Sequence, residues 1–398
     1  MPSSWTGHTS VKTSIDVRTS RLRELFASGR DNYERKIKDR FPDISPVMDG
    51  SAPIAIFGAA RLGRIFLDGL TNRGIRVVAF ADNNPALWGT TISRVPVLSP
   101  EELRRDHASH PVLIASLLYE TEIYDSLMAM RFPLIYPLSF LHHARPDVFP
   151  SAEYDDAFTS LFTRDNQARI IALAGEWVDE ISFDTFIGLL KFRLTLEKKI
   201  IRDLRSPHAQ YFEPGLISMG KDEVFLDCGA YTGDTVTQFV RETSGAFTKV
   251  YAFEPDRGTF LTLQSRVSAL DPSRIVPLNL GICESSGTRG FDESGTIDTR
   301  MGDGEGAVCL PVVSIDDFMR EREAATFIKM DIEGGEMGAL TGARETILRQ
   351  KPKLAVAVYH RACDLWQIPL FIKQLNSGYK LYLRHYTNEP VDTVCYAV

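Results

Sequence analysis

The stretch Val224-Phe225-Leu226-Asp227-Cys228-Gly229-Ala230-Tyr231-Thr232-Gly233-Asp234 decides how the rest of the chain is read. Val224 to Asp227 is a short apolar run that ends on an acid, the pattern of a buried strand. Gly229 to Gly233 is a turn bracketed by glycines, and Thr235 to Arg241 begins a helical pattern with Val236, Phe239 and Val240 on one face. A strand, a glycine turn and a helix start together bind the polar end of a nucleotide-like ligand, because free N–H groups of the first helical turn point at it. The spacing departs from the dinucleotide fingerprint. The residue two after Gly229 is Tyr231, whose side chain would crowd a pyrophosphate. A smaller polar group still fits over such a turn.

The next runs extend the pattern. Lys249-Val250-Tyr251-Ala252-Phe253-Glu254 reads as a second strand ending in an acid. Glu254 follows Gly229 by 25 residues, near the spacing at which a carboxylate accepts hydrogen bonds from ribose hydroxyls in doubly wound folds. Ile275 to Leu278 is a third strand, followed by Asn279-Leu280-Gly281. Thr326 to Met330 delivers Asp331, Leu354 to Val358 delivers Tyr359-His360, and Lys380–Leu383 and Val394–Ala397 follow. The polar run Ser285–Gly306 reads as disorder or as a mobile loop over the site, with a hairpin between Phe291 and the strand-like Val308–Val313.

Asp227-x-Gly229-Ala230-x-x-Gly233, Phe253-Glu254-Pro255, Asn279-x-Gly281 and Lys329-Met330-Asp331-Ile332-Glu333-Gly334-Gly335-Glu336, in that order, resemble the FkbM family of S-adenosylmethionine-dependent methyltransferases. The resemblance covers about the last half of the chain. It implies a class I methyltransferase domain: a seven-stranded mixed α/β sheet with one antiparallel strand at its edge. It implies S-adenosyl-L-methionine as cofactor, held by Asp227, Gly229, Ala230, Tyr231, Gly233 and Glu254, with Asn279 beside the adenine.

Composition sets the outer limits. A chain of 398 residues supports two or three domains. A net charge of −7 argues against a nucleic-acid partner held through phosphates. No apolar run approaches the ~18 residues of a membrane span, and the first thirty residues lack an apolar signal core. Five cysteines without a C-x-x-C pair read as buried free thiols in a reducing cytoplasm.

The first half divides into three. Residues 1–50 read as a polar tail, a charged helix over Arg18–Phe41 with Leu22, Leu25 and Phe26 as its apolar stripe, and a linker punctuated by prolines. Residues 51–145 read as a smaller Rossmann-like α/β domain with strands Ile54–Phe57, Val77–Phe80 and Leu113–Ser116. Its turn, Gly58-Ala59-Ala60-Arg61-Leu62-Gly63, puts the Ala60 methyl where a pyrophosphate would press on the backbone, and Asp82 stands near the ribose spacing. This favours a domain that docks or assembles over one that binds NAD. Residues 146–210 read as a helical bridge, with Phe183, Phe186, Ile187, Leu190 and Leu194 as core and Ser182 as helix cap. Tyr211 and Phe212 read as packing residues at the start of the 211–398 methyltransferase domain.

Methyl transfer needs an acceptor held in line with an already activated methyl group and a route for the acceptor's proton. Asp331 and His360, at strand ends, are the expected catalytic pair: Asp331 positions the acceptor or the methyl end of the cofactor, and His360, ordinarily titrating near neutrality, takes the proton. Glu333 and Glu336 read as helix-start acids. Asp331, Glu333 and His360 also offer donors for a divalent cation, but the sequence fixes no third or fourth ligand, so no metal is expected. The leading reading is an O-methyltransferase acting on a small-molecule or saccharide hydroxyl. Its alternatives are an NAD-dependent sugar oxidoreductase or epimerase and a non-catalytic nucleotide-sugar-binding protein. The sequence gives no oligomeric state.

Overall fold

The structure, a computed structural model, describes residues 7–151, 154–291 and 308–398. Most of the expected loop Ser285–Gly306 therefore lies outside the described residues. Its flanks form the expected hairpin: Gly287–Phe291 pairs antiparallel with Val308–Val313.

Seven strands make the larger sheet. In spatial order they are Leu381–His385, Thr393–Ala397, Lys353–Ala357, Phe327–Met330, Val224–Cys228, Lys249–Phe253 and Ile275–Leu278. The five central and far strands run parallel; all but the outer Ile275–Leu278 are buried along most of their length, which is why they read as continuous apolar runs rather than alternating ones. The antiparallel strand, expected at the edge, sits one place in. Thr393–Ala397 pairs antiparallel with Lys353–Ala357 on one side and with Leu381–His385 on the other. Placing it inside makes Leu381–His385 the edge, and the bridge covers that edge: Val178 N donates to Leu381 O at 3.1 Å and Ser206 N to His385 O at 2.7 Å. An edge strand left bare would offer its N–H and C=O groups to other chains.

The smaller sheet has six strands, ordered Thr91–Ile92, Val95–Leu98, Val77–Ala81, Ile54–Phe57, Val112–Ile114 and Ile135–Tyr136, parallel except for the short Thr91–Ile92 hairpin. The Gly58 turn is shaped by the fold itself. A Cβ on Gly58 (φ 111°) would stand 2.6 Å from Ala115 O, and one on Gly63 would stand 2.0 Å from Gly58 O. Asp82 folds back on the turn, accepting from Ala59 N and Asn84 N at 2.8 Å each.

The amino-terminal segment is two helices rather than one, Gly7–Ala27 and Arg30–Arg40, separated at Gly29 (φ 73°). Leu22, Leu25 and Phe26 are buried, as their spacing implies, against the bridge. Arg18 fixes this packing by donating to Trp177 O at 2.7 Å and to Glu180. In the bridge helix Glu180–Thr195 the cap is Asp179, which accepts from Ser182 N at 2.8 Å. Ser182, expected as the cap, lies inside the helix, where its hydroxyl receives Leu383 N and Arg384 at 2.9 Å each and so ties the bridge to the sheet edge. One apolar core runs from Leu22 through the smaller sheet and the bridge into the larger sheet. Of the cysteines, Cys228 and Cys395 are buried and Cys283 and Cys363 partly so. Cys309 is exposed, against the expectation of buried thiols.

Candidate active site

The carboxyl ends of the central strands open on a crevice of about 940 Å³. Its position follows from strand order: Val224–Cys228 lies between Phe327–Met330 and Lys249–Phe253, where the crossovers diverge, and ligands of open α/β sheets sit there.

Gly229, with φ 82°, makes the turn possible and sets its closeness. A Cβ here would stand 1.8 Å from Asp331 O, so the ends of two neighbouring strands touch through a missing side chain. Gly233 (φ 85°) begins the helix Asp234–Glu242, and a Cβ there would press on Leu263 at 2.9 Å. Beneath the turn lies a buried ion pair. Lys329 Nζ stands 3.1 Å from Asp227 Oδ1 and donates to Gly229 O at 2.6 Å. The 3.1 Å contact is a charge contact, since neither Asp227 oxygen has a hydrogen bond. Burial outweighs Lys329 and pushes the Asp227 carboxyl up to about 6. For Lys329 the neighbouring Asp227 and Asp331 carboxylates outweigh burial and keep the ammonium charged.

Glu254 closes the other wall. Its carboxylate accepts from Tyr231 N at 3.0 Å and Asp256 N at 2.9 Å, binding the acid to the turn, and burial pushes its pKa up to about 7. Asn279 braces this wall from behind by donating to the carbonyls of Glu254 (2.9 Å) and Pro255 (2.8 Å). Of the expected cofactor residues, Gly229, Tyr231 and Glu254 line the crevice. Asp227, Ala230, Gly233 and Asn279 are not among its lining residues: they hold its wall. Leu280, Gly281 and Ile282 line it beyond Glu254.

At the opposite end Asp331 receives the Tyr211 hydroxyl at 2.5 Å and the Tyr359 hydroxyl at 3.2 Å. His360 is close by: its Nε2 is 3.3 Å from Asp331 Oδ1 and 3.6 Å from Glu333 Oε2, and its Nδ1 is 2.8 Å from Glu336 Oε1. Burial alone would lower its pKa, but Glu336, Asp331 and Glu333 together raise it to about 10. This corrects the expectation of a base near neutrality. These three carboxylates favour the charged imidazole over the neutral form that would take a proton from an acceptor. Glu333 and Glu336 also divide. Glu336 heads the helix Glu336–Thr341 and accepts from Ile332 N at 2.8 Å, whereas Glu333 precedes the helix on left-handed backbone, φ 55°.

Several site residues escaped the sequence reading. Tyr211, expected only to pack, lines the crevice with Gln210, Lys329 and Asp392. Leu118 reaches in from the smaller domain, in the turn between strand Val112–Ile114 and helix Glu120–Ala129. Tyr211, Tyr231, Glu333 and Asp392 all stand on positive φ (68°, 45°, 55° and 58°), a cluster of backbone strain at one crevice.

Residues 227–386 match the sequence profile described as Methyltransferase FkbM domain. A crystal structure of Methyltransferase FkbM from Methylobacillus flagellatus KT is 24% identical, superposes with a TM-score of 0.71 and covers 98% of this chain and 100% of its own. Its fold is therefore shared across both sheets. A crystal structure of fibrillarin from Aeropyrum pernix, in complex with natively bound S-adenosyl-L-methionine, is 12% identical over 47% of this chain and 70% of its own, at a TM-score of 0.31. No curated protein matches. Residues 227–386 of this chain are a methyltransferase domain of the FkbM family.

Proposed function

We propose that this methyltransferase uses S-adenosylmethionine to methylate a hydroxyl group of a saccharide or natural product, with the donor over the Gly229 turn and the acceptor against Asp331. The arrangement that carries this reading is one crevice with a ribose-type acid, Glu254, at one end and a charged acceptor end, Asp331, at the other.

The residues fit the donor. Gly229 keeps the turn free of a side chain, Glu254 offers a carboxylate to ribose hydroxyls, and Leu280 and Ile282 give an apolar flank for a base. The bound donor supplies a methyl group already activated by its sulfonium. The protein's part is placement and charge. Tyr211 and Tyr359 hold the Asp331 carboxylate in one orientation, and His360 and Lys329 keep it ionised. An acceptor hydroxyl donating to Asp331 is thereby fixed in direction, and alignment of this kind is worth large factors in rate.

In the smaller domain Asp82 is already engaged by Ala59 N and Asn84 N, and Leu118 overhangs the crevice. These contacts favour a role for that domain in enclosing the acceptor over a second cofactor site. Incubating the protein with S-adenosylmethionine and a panel of polyhydroxylated saccharides and aglycones, with mass spectrometry as readout, tests the reading. One acceptor class should gain a single O-methyl group, and Asp331→Asn should lower kcat by ~10²-fold or more. Methylation confined to nitrogen acceptors would overturn it.

A further inference from the structure

The acceptor end of the crevice holds more negative charge than positioning one hydroxyl requires. Asp331, Glu333 and Glu336 surround one imidazole. His360 is 7% exposed, yet neither ring nitrogen makes a hydrogen bond; even the 2.8 Å approach of Nδ1 to Glu336 lies off the hydrogen-bonding direction. Glu336 is fully buried, and its Oε2 has no hydrogen-bond partner. Such buried atoms without partners are costly unless something else satisfies them.

Asp331, Glu336 and His360 each place a donor atom within 4.8 Å of the other two. Nε2 lies 3.3 Å from Asp331 Oδ1 and 3.6 Å from Glu333 Oε2. Donors bound at ~2.1 Å to one cation at roughly right angles stand ~3 Å apart. Asp331 and Glu333 line the crevice, so a cation between them and Nε2 would face the acceptor. Behind it, Glu336 approaches the other ring nitrogen, the carboxylate–histidine–metal order that orients a metal-binding imidazole. Asp331 is itself held by Tyr211 and Tyr359, as ligating carboxylates are.

We propose that Asp331, Glu333 and His360 Nε2 bind a divalent cation at the acceptor end of the crevice, the cation releasing the Nε2 proton to water as it binds, with Glu336 as the positioning residue, and that the acceptor chelates this cation through two neighbouring oxygens, as a vicinal diol or an α-hydroxy acid. The chelation part rests on the methyltransferase reading; the metal site does not. Three protein donors leave open positions for two acceptor oxygens and water. The cation lowers the pKa of the bound hydroxyl, whose proton leaves to water. The C–S bond then breaks as the O–C bond forms, its electron pair remaining on sulfur.

The test is titration of the full-length, metal-stripped protein with Mn²⁺, following free Mn²⁺ by electron paramagnetic resonance, without donor or acceptor. One Mn²⁺ per chain should bind. Glu333→Gln, on an exposed turn, and Asp331→Asn should each weaken it at least as much as Glu336→Gln, for which a loss of ~10–100-fold is expected. Thermal stabilisation by S-adenosylmethionine in the stripped protein tests the donor separately, and with circular dichroism it shows that each variant is folded. Absence of Mn²⁺ binding at millimolar concentration, or binding that survives Asp331→Asn and Glu333→Gln together, overturns the site. Metal binding without preference for vicinal-diol or α-hydroxy-acid acceptors over isolated hydroxyls in the methylation assay overturns the chelation.

Discussion

Glu254 shows how one residue carries both recognition and a pH dependence. Burial raises its carboxyl from an ordinary 4.5 to about 7. Between those values the folded chain holds a proton that the unfolded chain has lost, so this group costs stability as pH rises through that window. Donor binding has the opposite slope, since ribose hydroxyls donate to the ionised form. Affinity for S-adenosylmethionine should therefore rise with pH up to about 7 and level off above it, at most tenfold per unit below. In Glu254→Gln calorimetry should find weaker binding with that slope gone; an unchanged slope in the variant would assign it to another group. At this scale the sequence was partly legible. Gly229 and Glu254 were visible from strand-end spacing. The roles of Tyr211 and Asp392 were not, because each depends on a left-handed backbone angle and on neighbours far away in sequence. His360 was visible at a strand end, but the upward pull on its pKa was not: an ordinary histidine pKa says nothing of three carboxylates gathered by folding.

Strands and turns were the most legible elements. Buried parallel strands announce themselves as apolar runs ending in Asp227, Glu254 and Asp331. The short strands Thr91–Ile92 and Ile135–Tyr136 were missed, since two residues carry no period. The antiparallel strand was misplaced because pairing order is a long-range property. What an element cannot show in sequence is the ion pair beneath it. Strand Phe327–Met330 presents Lys329 to Asp227 of the adjacent strand, with Lys329 at 3% and Asp227 at 0% side-chain exposure. Lys329→Met should cost ~3–5 kcal/mol in denaturant unfolding by leaving a buried carboxylate unpaired. Adding Asp227→Asn to that variant should recover part of the loss. A single variant as stable as the native chain would show that the pair does not hold the turn.

Across the whole molecule, the two sheets are joined by more than a linker. Glu389 of the larger domain accepts from Thr121 N of the smaller one at 2.5 Å, and Lys198 of the bridge reaches Glu120 at 2.9 Å and Glu389 at 3.1 Å. This buried junction places Leu118 at the crevice, the position that the proposed enclosing role of the smaller domain requires. Among the described residues no helix is long and apolar enough to cross a membrane. Isothermal titration of the full-length chain with S-adenosylmethionine and, separately, with NAD is the most direct test of the central claim, that the Gly229–Glu254 crevice is the cofactor site. The account predicts one S-adenosylmethionine per chain. It also predicts a stability gain of ~2.7 kcal/mol at a hundred times the dissociation constant, sharply reduced in Glu254→Ala, and no comparable binding of NAD. Tight NAD binding with no uptake of S-adenosylmethionine would contradict it.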